Sequence, residues 1–397
     1  MKILLLAPEP FFEERGTPIA IRLLAETLCE QNNKVDLLTY HQGANITVEG
    51  LRILRVPKIP FIKIIPIGFS FRKFITDIFF SIFLFGVLLF NDYDVLHAVE
   101  ESIFPAAFLN IFWKKKLIYD MDSSLIEQLC EKWKFLSHFE KVLNFFEKWA
   151  IRRSDIIVPV CSYLAQKAQK CKSKENIYLL EDIAFESDKT PEHVDNIRSQ
   201  FNITGIIALY VGNLEHYQGI DLMLDSLKLI DSDTDFTVVI IGGSGKDVAK
   251  YKSKAEELNL SKKICFAGPK PFANLQFYLK QGDILMSPRI KGKNTPMKIF
   301  SYLSSGKPIL ATNIDSHTQV LDSSCAYLVN PEPKNFSIGL HELIENKELR
   351  EKLGQHGKEL ADKNYSRESY KKKVENIYSM ICLHSLISNS NLSNPNI

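Results

Sequence analysis

The sequence contains no GxGxxG, no GxxxxGK[ST] and no HExxH. Their absence removes the dinucleotide fingerprint, the P-loop and the zinc-peptidase helix from consideration. Cysteine is sparse: Cys29, Cys130, Cys161, Cys171, Cys265, Cys325 and Cys382, with no pair at metal-ligand spacing. An odd count without a framework fits buried thiols in a reducing compartment, and no metal or other cofactor is expected. An excess of one charge is also missing. The 49 Lys and Arg against 47 Asp and Glu leave a formal +2, so net charge gives no reason to expect a nucleic-acid partner. No uninterrupted apolar run reaches transmembrane length, which excludes a multi-span transporter. The opening run, residues 3–7, stops at Pro8; it is too short for a secretory h-region and reads as a first strand in a cytoplasmic protein.

What is present is apolar and rich in phenylalanine. Hydrophobic residues make up 45% of the 397, with 26 Phe against three Trp and six Met. Such a chain can fill full-sized cores, and its length suggests two domains. Apolar runs at 2–7, 34–40, 94–99, 116–120 and 155–160 alternate with helical patterns, among them 19–31, 103–113 and 125–152. After a polar stretch the alternation restarts, with strands at 206–212, 236–242, 264–268, 283–287, 307–312 and 325–329. Alternation of this kind argues for two doubly wound parallel sheets of the α/β class. The expected divisions are a first domain over 1–182, a linker at 183–203 and a second domain over 204–365. A last helix is expected at 366–382, and a frayed tail at 383–397. Ligands of such sheets lie beyond the carboxyl ends of the strands.

Two segments stand out for their Phe and their charge. Residues 51–76 hold Arg52, Arg55, Lys58, Lys63, Arg72 and Lys73 and no acidic residue, and the run FITDIFFSIFLFGVLLF follows at 74–90. A buried helix on the sheet, a peripheral surface docking on an anionic membrane through residues 51–90, and a true span all remain open. Asp77 inside the run speaks against the span. At 131–153, Trp133, Phe135, Phe139, Leu143, Phe146 and Trp149 fall at helical offsets, which suggests an amphipathic helix, packed on the core by default with the same membrane face as the competing reading.

Candidate chemistry sits at strand ends. Asp120 and Asp122 end the apolar strand before Ser123, where either serves catalysis or caps a helix. His97 lies within a strand, as a core histidine or an acceptor contact, and Glu100 and Glu101 follow at its exit. Gly16, in the long loop after the first strand, is placed to present its backbone N–H to a phosphate at the helix start near residue 19. Gly243, in the run GGSG, is either part of a phosphate nest or a turn. In SPRIKGKNTPMKIF, Arg289, Lys291, Lys293 and Lys298 gather within ten residues, and Thr295 is placed to cap a helix that Pro296 opens. A helix start flanked by cations suits a diphosphate.

These blocks carry a family resemblance. APEPFFEERGTPIAIRLLAETL, DVLHAVEE, RRSDIIVPVCSYL, LYVGNLEHYQGIDLML and PMKIFSYLSSGKPILAT resemble, in order and spacing, those of glycosyltransferase family 4. The likeness covers most of 1–380. It implies the GT-B architecture, two facing Rossmann-like domains with a C-terminal crossover helix returning to the first. It further implies retaining transfer of a sugar from a nucleoside diphosphate without a metal, with the acceptor on the first domain and the donor on the second. Gly16 matches the family's phosphate loop. The family's phosphate-binding Arg and Lys are matched by Asn213 and Gln218. Its E-x7-E carboxylates are matched by Lys293 and Ser301, the second a ribose contact, and its histidine near the donor sugar by Asp122. The departures mean either a site rebuilt around Arg289, Lys291, Lys293 and Lys298 or a lost activity, and the retained cation cluster favours rebuilding.

The reading is therefore a hexosyltransferase that takes a UDP- or GDP-sugar to a saccharide or lipid-linked acceptor in bacterial surface polysaccharide or lipid-linked glycan synthesis. The expected catalytic residues are Asp122 and Asp120. Donor contacts are expected from Gly16, Asn213, Gln218, Gly243, Arg289, Lys293, Thr295, Lys298 and Ser301, and acceptor contacts from His97, Glu100 and Glu101. The protein is expected in the cytoplasm, with peripheral contact to the cytoplasmic face of the inner membrane as an option. The rivals are a catalytically silent sugar-nucleotide-binding or partner protein of the same fold and a non-hydrolysing sugar-nucleotide epimerase.

Overall fold

The computed structural model describes residues 1–14, 16–60, 62, 65, 70–184, 194–231 and 233–392. Lys63 and most of residues 59–69 lie outside the described residues, as does the middle of the expected linker. The chain divides into two units, Met1–Glu181 with Tyr370–Ile397, and Asp182–Ser369.

The first unit is built on six parallel strands, β1 (Lys2–Ala7), β2 (Lys34–Thr39), β3 (Leu51–Arg55), β4 (Val95–Val99), β5 (Lys116–Met121) and β6 (Ile156–Pro159). Their order is β3-β2-β1-β4-β5-β6, so the sheet reverses direction beside β1. Residues Ile3–Ala7 are wholly buried, because helices cover both faces, which is why β1 reads as a continuous apolar run rather than an alternating one. Strand β3 was not expected from the sequence. It is an edge strand whose arginines find partners the linear chain hides. Arg52 Nε donates to Asp36 Oδ1 at 2.8 Å, and Arg55 donates to the carbonyls of Gln42 and Ala44 at 2.7 and 2.9 Å. Lys73 is ion-paired with Glu101. Of the cations in the acid-free stretch 51–76, Arg52 and Lys73 are thus paired with carboxylates brought from elsewhere in the chain.

Helix Phe71–Phe90 begins at Ser70, whose hydroxyl accepts the Lys73 N–H at 3.0 Å. Thr76, Phe80, Leu84, Val87 and Leu88 form its buried face and pack into the sheet core. The opposite face is apolar too, yet exposed, from Phe71 at 75% to Phe90 at 87%. Length and a mean hydropathy of 2.0 would allow a membrane span. The helix instead lies on the sheet, with Asp77 accepting from the Tyr40 hydroxyl and Leu88 O accepting from Trp113 Nε1 at 2.9 Å. It is neither a fully buried helix nor a free-standing span.

The continuous helix expected over 125–152 is also corrected. It is split into Leu125–Lys132, a 3-10 segment Lys134–Phe139 and Glu140–Arg153. Phe135, Phe139 and Phe146 are exposed at 63%, 57% and 50%, so these rings do not fill the core as their spacing suggested. The last helix, Arg367–Leu392, runs ten residues beyond the expected 382, as no Gly or Pro interrupts it there. Val374, Ile377, Tyr378 and Ile381 on it are buried. Lys373 pairs with Glu181 at 2.8 Å, and Gln31 donates to Lys371 O at 2.9 Å.

The second unit repeats the topology. Strands β7 (Ile206–Val211), β8 (Phe236–Ile241), β9 (Ile264–Gly268), β10 (Ile284–Ser287), β11 (Ile309–Thr312) and β12 (Tyr327–Val329) form a parallel sheet in the order β12-β11-β10-β7-β8-β9. Direction again reverses beside the first strand, between β7 and β10.

Candidate active site

At the carboxyl ends of β7 and β10 the second unit gathers residues from three loops. Gly219 follows β7 with φ +76, and a Cβ there would overlap the Pro288 carbonyl oxygen. Glycine therefore lets the two loops touch, and Ile290 N donates to Tyr217 O at 3.0 Å. This contact brings Arg289 over the Tyr217 ring, its guanidinium carbon 5.3 Å from the centroid. Lys298, in the first turn of helix Met297–Ser305, points to the same place. Its Nζ lies 4.2 Å from the Tyr210 ring centroid and donates to Gln218 Oε1 at 3.1 Å. A Cβ on Gly212, which has φ +150, would stand 3.4 Å from that ammonium. Backbone, amide, cation and aromatic ring thus converge at the topological switch point, where ligands of open sheets bind.

No carboxylate pairs with Lys298 among the described residues. Burial, with Arg289 adding repulsion, lowers its pKa to about 7, and burial lowers that of Arg289 as well. Two cations close together in a desolvated site are poised for an anion.

Three residues unrecognised in the sequence hold this site. The Tyr302 hydroxyl accepts Val211 N–H at 3.0 Å and lies 3.4 Å from Met286 O, tying β7 to β10. Tyr210 donates to Asn213 O at 2.6 Å. His317 is fully buried. Its Nδ1 donates to Thr312 O at 2.8 Å and its Nε2 accepts from Ser287 at 2.9 Å. Burial, reinforced by Lys298 and Arg289, lowers its pKa to about 3, so it is a neutral strut. Buried tyrosines and a lone histidine within apolar runs look like core, and only the fold reveals what their polar atoms join.

The remaining donor candidates fall differently. Thr295 does not cap. Pro296 is itself the N-cap, with extended backbone at φ −67 and ψ 133, so Thr295 stands one residue too early for its hydroxyl to reach the helix N–H groups. Its Oγ1 is buried without a hydrogen-bond partner among the described residues. Lys293 is exposed and pairs with Asp315 at 2.8 Å. Ser301 is buried on helix Met297–Ser305 and Asn213 is exposed. Gly243, at φ +78 against Leu214, belongs to a turn leading into helix Gly245–Glu257, which Ser244 caps by accepting Asp247 N–H at 3.3 Å. Gly16, in the first unit, is the first residue of helix Gly16–Glu30.

The first unit carries an acidic cluster at the ends of β1, β2, β4 and β5. Glu100 has φ +48, a left-handed conformation disfavoured for a residue with a side chain. It accepts from Ser123 Oγ at 3.0 Å. Burial, then the neighbouring Glu101, raises the Glu100 pKa to about 7. Burial, then Glu101, likewise lifts Asp77 to about 7. Asp120 is 3.1 Å from His97 Nε2, and His97 Nδ1 is 2.8 Å from the Tyr378 hydroxyl. With both ring nitrogens engaged and 1% exposure, His97 anchors the last helix rather than presenting an acceptor contact. Asp122 follows β5 and is not the helix cap; Ser124 is, accepting Glu127 N–H at 3.4 Å. No group of three or more His, Cys, Asp or Glu suited to a metal occurs among the described residues.

Comparison with known proteins agrees with this fold. Residues 194–360 match the family model of Glycosyl transferases group 1. The chain is 26% identical over 237 residues to the uncharacterized glycosyltransferase MJ1178 of Methanocaldococcus jannaschii, covering 59% of this chain and 62% of that protein. The match thus spans just under two thirds of that relative. Among solved structures, sucrose-phosphate synthase from Thermosynechococcus elongatus superposes with a TM-score of 0.78 at 17% identity, over 96% of this chain and 99% of that one. Anabaena HepE, solved with UDP-glucose, gives 0.70 at 12% identity over 96% and 100%. The chain has the GT-B fold, two Rossmann-like units, and its second unit carries the match to Glycosyl transferases group 1.

Proposed function

We propose that the protein transfers a hexosyl group, with retention of configuration, from a UDP- or GDP-sugar to an acceptor hydroxyl. The observation that carries this reading is the convergence of Lys298, Arg289 and Gln218 on the glycine-lined exit of β7. The complex of HepE with UDP-glucose favours UDP as the base to test first. The diphosphate sits at the start of helix Met297–Ser305, where free N–H groups, the Lys298 ammonium and the buried Thr295 hydroxyl meet it. Negative charge grows on the leaving diphosphate as the glycosidic bond breaks, and these donors stabilise it. The departing phosphate itself accepts the proton of the attacking hydroxyl. Glu100, Glu101 and Asp122 on the first unit orient the acceptor. No metal is required.

The same proposal places the enzyme on the cytoplasmic face of the inner membrane, acting on saccharide or lipid-linked acceptors of surface polysaccharide synthesis. Of the twenty-one large apolar side chains exposed among the described residues, sixteen lie between Phe71 and Phe146. Exposed Lys134, Lys141, Lys148 and Arg152 accompany them. An apolar face with cations beside it suits an anionic bilayer.

The deciding experiment offers UDP-glucose, UDP-galactose, UDP-N-acetylglucosamine and GDP-mannose to purified protein and measures nucleotide release, with Lys298→Ala as the comparison. Release of UDP or GDP that is lost in the variant supports the reading. Tight nucleotide binding with no release from any donor would leave a silent binding protein, and sugar interconversion without an acceptor would indicate an epimerase.

A further inference from the structure

A cavity of about 540 Å³ lies in the first unit, within the size range of ligand sites. Its walls are apolar, formed chiefly by Phe71, Phe74, Ile78, Phe104, Leu129 and Trp133, and Asp77, Glu101 and Ser102 interrupt them. Two details separate it from a packing defect. Phe71, Phe74 and Ile78 are exposed at 75%, 61% and 46%, so the cavity is continuous with the outer apolar face of helix Phe71–Phe90. At the acidic wall, Glu101 Oε2 is buried and receives no hydrogen bond among the described residues, a costly state unless a ligand supplies a donor. That wall adjoins Glu100 and the exit of β4, where the acceptor site is assigned.

We propose that this cavity binds the hydrocarbon chain of an amphipathic acceptor, whose hydroxyl-bearing head donates to Glu101 beside the end of β4. The assignment deepens the glycosyltransferase reading and rests on it for the identity of the ligand as acceptor. At the polar end Glu101 is already ion-paired with Lys73 through Oε1 and Asp77 accepts from the Tyr40 hydroxyl, which leaves an acceptor oxygen for O–H donors and, among the described residues, no free cation for an anionic head. A neutral sugar head fits well, since its hydroxyls are donors. The chain enters through the Phe71 and Phe74 rim, which faces the same way as the surface proposed to meet the bilayer.

The test uses n-alkyl β-D-glucosides below their micelle concentrations, with bromine on the terminal carbon to quench Trp133. Saturable quenching is expected, with affinity rising about fourfold per added methylene until the cavity is filled. It should be lost in Trp133→Phe and weakened at least about tenfold in Ile78→Trp, which fills the cavity from its rim. The first unit's thermal transition, read by calorimetry on the same samples, should stay unchanged in Ile78→Trp and so shows that the variant is folded. A second filling variant, Ser81→Phe, guards against a local defect. No quenching, quenching without chain-length dependence, or equal binding by the filled variants overturns the cavity assignment even if the enzyme releases UDP. Chain-length-dependent binding with no nucleotide release from any donor supports the cavity and places the failure on the transferase reading.

Discussion

Lys298 is held by the fold in a state that its ligand would reverse. With its pKa at about 7, much of the empty site carries a neutral amine at pH 8, and a bound diphosphate raises the pKa again. Calorimetry of UDP in buffers of differing ionisation enthalpy should therefore show uptake of close to one proton at pH 8, fading below pH 6. Affinity should fall as pH climbs above about 7. Lys298→Ala should weaken UDP roughly ten- to a hundredfold, the worth of a hydrogen bond to a charged group, and abolish the proton uptake. Glu100 behaves in the opposite sense. Its folded pKa, about 7, stands above the ordinary carboxylate value of 4.5, so the folded state holds the extra proton between those values and stability declines as pH rises through them. Glu100→Gln should accordingly stabilise the first unit at pH 8, on the order of 1–3 kcal/mol, with the difference vanishing near pH 4. Denaturant titrations at both pH values check this. Much of the proposed donor site was legible because Arg289, Gln218 and Lys298 flank Gly and Pro punctuation at strand ends. Lys293 carries the same charge a few residues away and is spent on Asp315; charge alone does not tell a ligand from a surface pair. Glu101 was legible as a strand-exit acid, but its ion pair with Lys73 depends on a helix that approaches from 28 residues earlier in the chain.

Among elements, the alternating strands and helices were readable because each strand of a doubly covered sheet is an unbroken apolar run. Strand β3 escaped because an edge strand with arginines has no such run, and because its partner Asp36 lies on β2. At 74–90 and 131–153 core packing and a membrane face both stayed open for one reason: apolar periodicity reports a face that avoids water but does not say what covers it. Here much of that face is bare. Glutamine at Lys134, Lys141, Lys148 and Arg152 together should reduce binding to phosphatidylserine-containing vesicles on the order of a thousandfold, at about 1 kcal/mol per cation removed, as read by co-flotation. Failure of the intact protein to bind such vesicles would reject the membrane proposal. Lys73 is unsuited to that test, as its ammonium neutralises a buried carboxylate. At the second sheet, Gly219→Ala must place a side chain at φ +76 against Pro288 O. The backbone alone costs about 1–2 kcal/mol, and the displaced loop should carry Arg289 away, so the melting temperature and UDP affinity should drop together.

The two units share a topology but differ in how the chain closes them. The second, Asp182–Ser369, is one continuous stretch, and removal of residues after Ser369 should leave its thermal transition and UDP binding in place. The same truncation takes away Val374, Ile377 and Tyr378, all nearly fully buried, and the Tyr378 bond to His97. Calorimetry should then show the first unit's transition lowered or lost while the second persists. That the chain returns to the first unit also sets an order of events on the ribosome. The second unit can complete its core as soon as its last strand and helices emerge, whereas the half begun first must wait for residues from Tyr370 onward. Until then its Phe-rich surface and the groove meant for the final helix are both uncovered, and a nascent chain in that condition is a natural client for chaperones or for the bilayer itself.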